Sequence, residues 1–158
     1  MSGRRVLATG TFDVLHPGHL HYLREAKSLG SELVVIVARD SMIEHKPRPV
    51  VHEVQRREMV DALDVVDEAV LGSEDSIYEP LRSIQPDVVA LGHDQYFGEE
   101  ELEKELRERG MDADVERVSR RRPRDHEVLS ASEILERGCE RREDEDAGDV
   151  ETDGQTGD

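Results

Sequence analysis

Residues 5–29 constrain the fold more than any other stretch of this chain. The segment Arg5-Val6-Leu7-Ala8 has the composition of a short buried strand, and the turn-forming residues Gly10-Thr11-Phe12-Asp13 follow it. Beyond them, apolar side chains recur with the period of a helix that Gly30 ends, at Tyr22, Leu23, Ala26 and Leu29. The stretch therefore predicts a strand, a turn and a helix in succession, with Pro17 in the first helical turn, where proline loses no hydrogen bond.

Two imidazoles, His16 and His19, stand three residues apart at the start of this predicted helix. A helix N-terminus offers unpaired backbone N–H groups and the positive end of the helix dipole. Imidazoles add further hydrogen-bond donors, whether neutral or protonated. We therefore expect the turn to bind phosphate.

The rest of the chain alternates strand and helix patterns. Further strands are predicted at Glu32–Ala38, Glu68–Leu71, Val88–Leu91 and Val115–Val118. A second helix begins near His52, with Met59, Val60 and Leu63 on its buried side. Two capping boxes, Ser76 with Glu79 and Ser130 with Glu133, open the third and the last helix. Glu99–Arg109 is the fourth helix, and Gly138 is predicted to end the last. Such alternation predicts a doubly wound α/β fold around a parallel sheet.

Domain organisation follows from the distribution of apolar residues along the 158-residue chain. Residues 1–139 are predicted to form one domain, and residues 140–158 an acidic tail that is disordered because it has almost no apolar surface to bury. No apolar run approaches the length of a membrane span. The one cysteine, Cys139, cannot form an intrachain disulfide, which favours a reducing, cytoplasmic location.

The formal net charge of −17 argues against nucleic acid as a partner. Lysine is rare among the basic residues, since only Lys27, Lys46 and Lys104 are present and the others are arginine. An acidic surface with arginine in place of lysine suggests a halophilic archaeon with a salt-rich cytoplasm. The alternative is an acidic protein adapted to ordinary salt.

The turn and several later blocks resemble a known superfamily. GTFDVLHPGH is similar to the HxGH signature of the nucleotidylyltransferases, and the chain most resembles the archaeal FAD synthetases, which are related to glycerol-3-phosphate cytidylyltransferases. The resemblance runs from about Val6 to Leu135 and includes AKSLG, VIVARD, QRREMV, VDEAVLG and LGHDQYF. It implies a Rossmann-like sheet of five strands in the order 3-2-1-4-5. A ligand would then bind beyond the carboxyl ends of strands one and four, where the strand order reverses.

The resemblance also implies an activity, namely transfer of AMP from ATP to the phosphate of FMN, which gives FAD and pyrophosphate. Mg²⁺ or another divalent cation would accompany the ATP, and the sequence contains no dedicated metal-ligand cluster. Two rivals remain: a cytidylyltransferase acting on a polyol phosphate, and a non-catalytic nucleotide-binding domain. The sequence decides neither the base preference nor whether the protein forms a homodimer.

Residue roles are carried over from the same resemblance. The predicted catalytic residues are His16, His19 and Lys46. The predicted nucleotide-binding residues are Thr11, Phe12, His16, Pro17, Gly18, His19, Asp94, Arg122 and Ser130. The predicted acceptor-binding residues are Arg56, Tyr96 and Phe97. Several assignments stay open: Phe12 also suits core packing, Ser130 also suits a helix cap, and any arginine of residues 120–124 could be the phosphate contact.

Overall fold

The computed structural model describes residues 3–44 and 47–150. Five parallel strands form one sheet in the order β3-β2-β1-β4-β5, which confirms the predicted doubly wound α/β fold. The strands are β1 (Arg5–Gly10), β2 (Glu32–Val37), β3 (Glu68–Leu71), β4 (Val88–Leu91) and β5 (Asp114–Arg117). The helices are α1 (Pro17–Ser28), α2 (Glu53–Asp61), α3 (Glu79–Ile84), α4 (Glu99–Glu108) and α5 (Ala131–Val150), with a 3-10 turn at Asp40–Met42.

The sheet separates two apolar cores. One joins its central strands to α1 and α2, and includes Leu23, Ala26 and Val60. The other lies under α3 and α4 and includes Leu81, Leu102 and Leu106. Strands β1, β2 and β4 are buried on both faces, because each sheet face carries helices, and this accounts for their continuous β-branched and apolar composition.

Two local predictions were wrong. Met59 is half exposed, because α2 turns Arg56 and Val60 toward the core instead. Ser76 and Glu79 form no capping box: α3 begins after Tyr78, and the Ser76 hydroxyl accepts a hydrogen bond from the Tyr78 N–H at 3.1 Å. Glu79 accepts one from Ser73. At α5 the Ser130 hydroxyl does cap the helix, accepting from the Glu133 N–H at 3.3 Å.

Helix α5 is longer than predicted. It continues through Gly138 to Val150, so residues 140–150 are helical, while residues 151–158 lie outside the described part of the chain. A glycine inside a helix costs only about 1 kcal/mol relative to alanine, and the glutamates and arginines around it have good helix propensity. Arg137 and Glu133, one turn apart, form an ion pair at 2.9 Å. Side chains 140–148 are all exposed.

We predict that a chain ending at Cys139 melts at the temperature of the full chain and turns over at the same rate. The removed side chains up to residue 148 cover no core residue, so their loss should leave the domain unchanged. A chain ending at Ser130 is the control, because it also loses the half-buried Ile134 and Leu135 and should be less stable. A lower melting temperature for the Cys139 truncation would show that the end of α5 is structural.

None of the helices in the described ranges is both long and apolar enough to cross a lipid bilayer.

Candidate active site

The start of α1 is built by its two histidines. His16 is the N-cap, and its Nδ1 accepts a hydrogen bond from the Gly18 N–H at 3.0 Å. The Nδ1 of His19 accepts one from the His16 N–H at 3.3 Å, which closes a capping box made of imidazoles. Because Nδ1 is the acceptor in both rings, each neutral imidazole carries its proton on Nε2. The turn therefore presents two Nε2–H donors side by side.

Both rings are held in the neutral form. They stack with their centroids 3.8 Å apart. Burial lowers the pKa of His16 below its usual range. Burial, and then the positive charge that His16 would carry, lower the pKa of His19 to about 4, although the Asp94 carboxylate opposes this shift. At neutral pH the pair thus donates hydrogen bonds without paying the desolvation cost of a buried cation.

The lowered pKa of His19 predicts a pH dependence of stability. Between the unfolded pKa of about 6.5 and the folded value of about 4, the unfolded chain binds a proton that the folded chain excludes. His19 should therefore stabilise the fold fully above about pH 6.5 and lose this contribution as the pH falls toward about 4. The variant His19→Gln should show a shallower loss of unfolding free energy over this range. Parallel pH curves for the two proteins would contradict the prediction.

Two glycines of the turn make room for aromatic rings. A Cβ on Gly18 would lie 2.8 Å from the His16 ring, and a Cβ on Gly10 would lie 2.8 Å from the Phe12 ring. Phe12 itself has a φ of 53°, an unusual left-handed conformation for a residue of its size. Its buried ring packs in the core, with its centroid 5.3 Å from the centroid of the His19 ring. The Phe12 side chain thus packs against the His19 ring from the core side, which leaves only the Phe12 backbone for nucleotide binding.

The free backbone donors lie ahead of the helix and not in its first turn. Pro17 has no N–H, and the N–H groups of Gly18 and His19 already donate within the turn, to His16 Nδ1 and to the His16 carbonyl. The expectation of unpaired donors in the first turn is therefore wrong. Within the described ranges, by contrast, the N–H groups of Thr11 and Phe12 have no acceptor, so they remain candidate phosphate donors.

Arg56, the predicted acceptor-binding residue, is fully buried. Its guanidinium donates to the carbonyls of Thr11 at 2.6 Å and Val51 at 2.9 Å, and to Asp40 at 2.6 Å. A side chain committed in this way has no face toward an acceptor. The structure instead gives Arg56 the task of joining α2 to the turn before the histidines, and a buried charge is tolerated because three acceptors surround it.

Asp13 fixes the neighbouring loop. Its two carboxylate oxygens accept hydrogen bonds from the N–H groups of Val50 and Val51, each at 2.9 Å. Lys46, the third predicted catalytic residue, belongs to this loop but lies outside the described residues.

The loop after β4 forms the opposite side of the site. Asp94 is exposed there and close enough to His19 to act on its charge. Tyr96 is fully exposed and Phe97 about half exposed. Arg117, at the end of β5, holds the loop from behind: its guanidinium donates to the carbonyls of Gly92, Gln95 and Phe97 at 2.5–2.9 Å. The loop backbone is therefore fixed while its two aromatic rings face outward.

The segment before α5 approaches the histidine turn as well. Leu129 Cβ lies 3.7 Å from the position of a Cβ on Gly18, which brings the N-cap Ser130 into the neighbourhood of α1. Arg122 is exposed, whereas Arg121 is paired with the buried carboxylate of Glu127. Of these two arginines, Arg122 is the one whose charge is open to an anion.

A metal cage of protein side chains does not fit this site. In the described ranges, Asp40, His52 and Glu53 form the one cluster with metal-ligand spacing. Asp40 pairs with Arg56, Glu53 lies 3.7 Å from Arg39, and His52 Nδ1 accepts the Val54 N–H. Around the histidine turn the donor set is imidazoles, backbone N–H groups and the Asp94 carboxylate. This set suits a cation held mainly by phosphate oxygens and water.

Sequence reasoning missed three residues that shape the site: Tyr22, Gln95 and Arg117. Tyr22 was assigned to the core stripe of α1, but a tyrosine there needs a partner for its hydroxyl, and that requirement was the available signal. Gln95 and Arg117 carried no comparable signal, because each binds a backbone group distant in the sequence, Thr9 for Gln95 and Gly92 for Arg117.

Comparison with known proteins agrees with this architecture. A family model described as cytidylyltransferase-like matches residues 7–137. The FAD synthase of Methanohalobium evestigatum is 58% identical over 137 residues, which are 87% of this chain and 90% of the relative. That of Natrialba magadii is 54% identical over 141 residues, 89% and 95% of the two chains.

A solved structure, described as the lipopolysaccharide core biosynthesis protein from Thermoplasma volcanium, is also similar. It superposes with a TM-score of 0.74 at 42% identity, covering 77% of this chain and all of the other. The chain therefore belongs to the cytidylyltransferase-like family, and the curated relatives that it matches along most of their length are archaeal FAD synthases.

Proposed function

We propose that this protein is an FAD synthase that transfers AMP from ATP to FMN. A phosphate oxygen of FMN attacks the α-phosphorus of ATP, and a new P–O–P linkage forms. The bond from that phosphorus to the oxygen bridging to the β-phosphate breaks, and pyrophosphate leaves with the electron pair. The supporting observation is the pair of neutral imidazoles with adjacent Nε2–H donors, in a chain whose curated relatives are FAD synthases.

The histidines act on charge and position. Phosphoryl-type transfer leaves little covalent chemistry to the protein, so orientation and charge stabilisation dominate. The Nε2–H groups of His16 and His19 donate to phosphate oxygens on which negative charge grows in the transition state. Further donors extend this set along the triphosphate: the backbone N–H groups of Thr11 and Phe12, the guanidinium of Arg122, and the N-terminus of α5 at Ser130. Pro17 and Gly18 shape the turn between the histidines.

The loop after β4 holds both substrates. Asp94 accepts hydrogen bonds from the nucleotide, and the exposed rings of Tyr96 and Phe97 border the flat isoalloxazine of FMN. Arg56 is left out of this acceptor site, because its guanidinium is buried and its hydrogen bonds are taken by other groups of the protein. Lys46 keeps its proposed phosphate contact on the strength of the family resemblance alone.

Mg²⁺ is proposed to enter with ATP, where it neutralises the triphosphate and makes pyrophosphate a better leaving group. We also propose a cytoplasmic location, where ATP and FMN are both available.

The test combines each of two nucleotides, ATP and CTP, with each of two acceptors, FMN and glycerol 3-phosphate, in the presence of Mg²⁺. Both pyrophosphate release and FAD formation are measured. ATP with FMN should give both products, CTP should substitute poorly, and glycerol 3-phosphate should be inert with either nucleotide. Turnover of CTP with glycerol 3-phosphate and no FAD would identify a cytidylyltransferase. Binding of ATP without pyrophosphate release against either acceptor would identify a non-catalytic domain.

A further inference from the structure

The seam between β1 and β4 opens earlier than its neighbours. Pairing of β1 with β4 ends at Ala8 and Ala90. Pairing of β1 with β2 continues to Gly10, and pairing of β4 with β5 continues to Leu91. The gap is therefore local to the one seam at which the strand order reverses, and it lies between the histidine turn and the Asp94 loop.

Continued pairing would join Thr9 to β4. In a parallel ladder the Thr9 N–H would donate to the Ala90 carbonyl, and the Thr9 carbonyl would accept from the Gly92 N–H. The first of these bonds completes the Ala8–Ala90 rung, and the second does not form, because the Gly92 N–H donates to Gln95 instead. At the completed rung the Tyr22 hydroxyl accepts from the Thr9 N–H at 3.2 Å and donates to the Ala90 carbonyl at 2.6 Å. One hydroxyl of α1 thus contacts both strands at the last rung before they separate.

The Gln95 side chain replaces the missing bond between Thr9 and Gly92. Its Oε1 accepts from the Gly92 N–H at 2.8 Å, and its Nε2 donates to the Thr9 carbonyl and hydroxyl, each at 3.2 Å. Both backbone groups of the missing bond therefore remain satisfied although the strands have separated. The Gln95 bridge keeps the strands apart beyond the last rung without leaving buried polar groups unpaired, and the Tyr22 hydroxyl holds that rung against α1.

We infer that Tyr22 and Gln95 are positioning residues for the nucleotide crevice beyond the last β1–β4 rung: Gln95 holds the strands apart there, and Tyr22 fixes the last rung to α1. Tyr22 lies three residues after His19 on α1, and Gln95 directly follows Asp94, so each bridge also fixes one functional side chain against the opposite strand. Burial raises the pKa of the Tyr22 phenol, so its hydroxyl keeps the proton that it donates to Ala90. This inference rests on the proposed function only in naming the nucleotide as ATP.

Without the Gln95 bridge, the strands can form the direct Thr9–Gly92 bond and narrow the crevice; without the Tyr22 hydroxyl, the last rung is no longer fixed to α1 and to the His19 that α1 carries. Tyr22→Phe and Gln95→Leu should each raise the Kd for ATP about tenfold. The double variant should bind no more weakly than the worse single variant, because both changes disturb the same crevice. Calorimetric titration with ATP alone, without FMN, measures these constants.

Matched controls separate positioning from plain stability. Tyr78 also hydrogen-bonds through its hydroxyl, to Glu105 on the other face of the sheet, so Tyr78→Phe should lower stability while leaving the Kd for ATP unchanged. Gln55→Leu changes an exposed glutamine of α2 and should change neither. Gln95→Glu keeps the acceptor for Gly92 but loses the donor to Thr9, and it provides a milder variant if Gln95→Leu does not fold.

Wild-type affinity in Tyr22→Phe or in the folded Gln95 variant would overturn the inference, and so would an effect of Tyr78→Phe on ATP binding equal to that of Tyr22→Phe. Multiplicative weakening in the double variant would overturn the single-seam explanation. A wild-type protein that binds ATP but makes no FAD would refute the proposed function and leave this test in place.

Discussion

His16→Ala and His19→Ala should each lower kcat roughly 100-fold or more while the protein stays folded. Each variant loses an Nε2–H donor to oxygens whose negative charge is greatest in the transition state, so the rate falls more than substrate binding does. The rings also cap α1, and this second role predicts a modest loss of stability on the order of 1 kcal/mol. Steady-state kinetics and thermal unfolding separate the two effects.

His21→Ala provides the control for these variants. His21 is on the same helix, but its Nε2 contacts the Ser119 carbonyl at 3.0 Å and it does not join the stacked pair. The kcat of the His21→Ala variant should therefore stay close to that of the wild type. If both site variants keep near-normal kcat, the turn only binds nucleotide and the histidines have no role in the transfer step.

Arg56→Ala should lower the unfolding free energy by about 3–5 kcal/mol, the usual cost of breaking a buried charge pair. It removes all three hydrogen bonds of the guanidinium and leaves the Asp40 carboxylate and two carbonyls without their partner. In a domain of this size the melting temperature should fall by roughly 10 °C. Chemical denaturation and calorimetry measure both quantities.

Arg24→Ala is the matched control, since Arg24 is exposed on α1 and should cost little. The experiment also decides between two interpretations of Arg56. A stable Arg56→Ala variant with a raised KM for FMN would restore the acceptor-binding role suggested by the family resemblance. An unstable variant whose folded fraction keeps its KM for FMN agrees with the buried contacts.

The parallel sheet could be predicted because its signals are local. The apolar runs at Glu68–Leu71 and Val88–Leu91 coincide with β3 and β4 to the residue. The end of the last helix could not be predicted in this way. Gly138 is a stop signal in isolation, but the charged residues after it favour helix strongly enough for α5 to continue.

The same distinction between local and long-range signals applies to the candidate site. His16 and His19 were found because their spacing and the following helix are contiguous in the sequence. Arg56 was given an acceptor-binding role from the family resemblance, and no local pattern of the sequence indicates its buried contacts. Its partners are in fact Asp40 and the Thr11 carbonyl, residues that only the folded chain brings near. The pairing of Tyr22 and Gln95 with the β1–β4 seam depends likewise on tertiary structure.

The all-parallel order of the strands has a consequence for how activity is acquired during folding. No two neighbouring strands can pair through a hairpin, so every pairing closes a long loop, and the central β1–β4 pair closes one of about 80 residues. The site lies at the β1–β4 pair, which should form late in folding. It also needs the segment before α5, more than 100 residues beyond the histidine turn. Helical signal should thus return early on refolding, and catalytic competence should be among the last properties recovered.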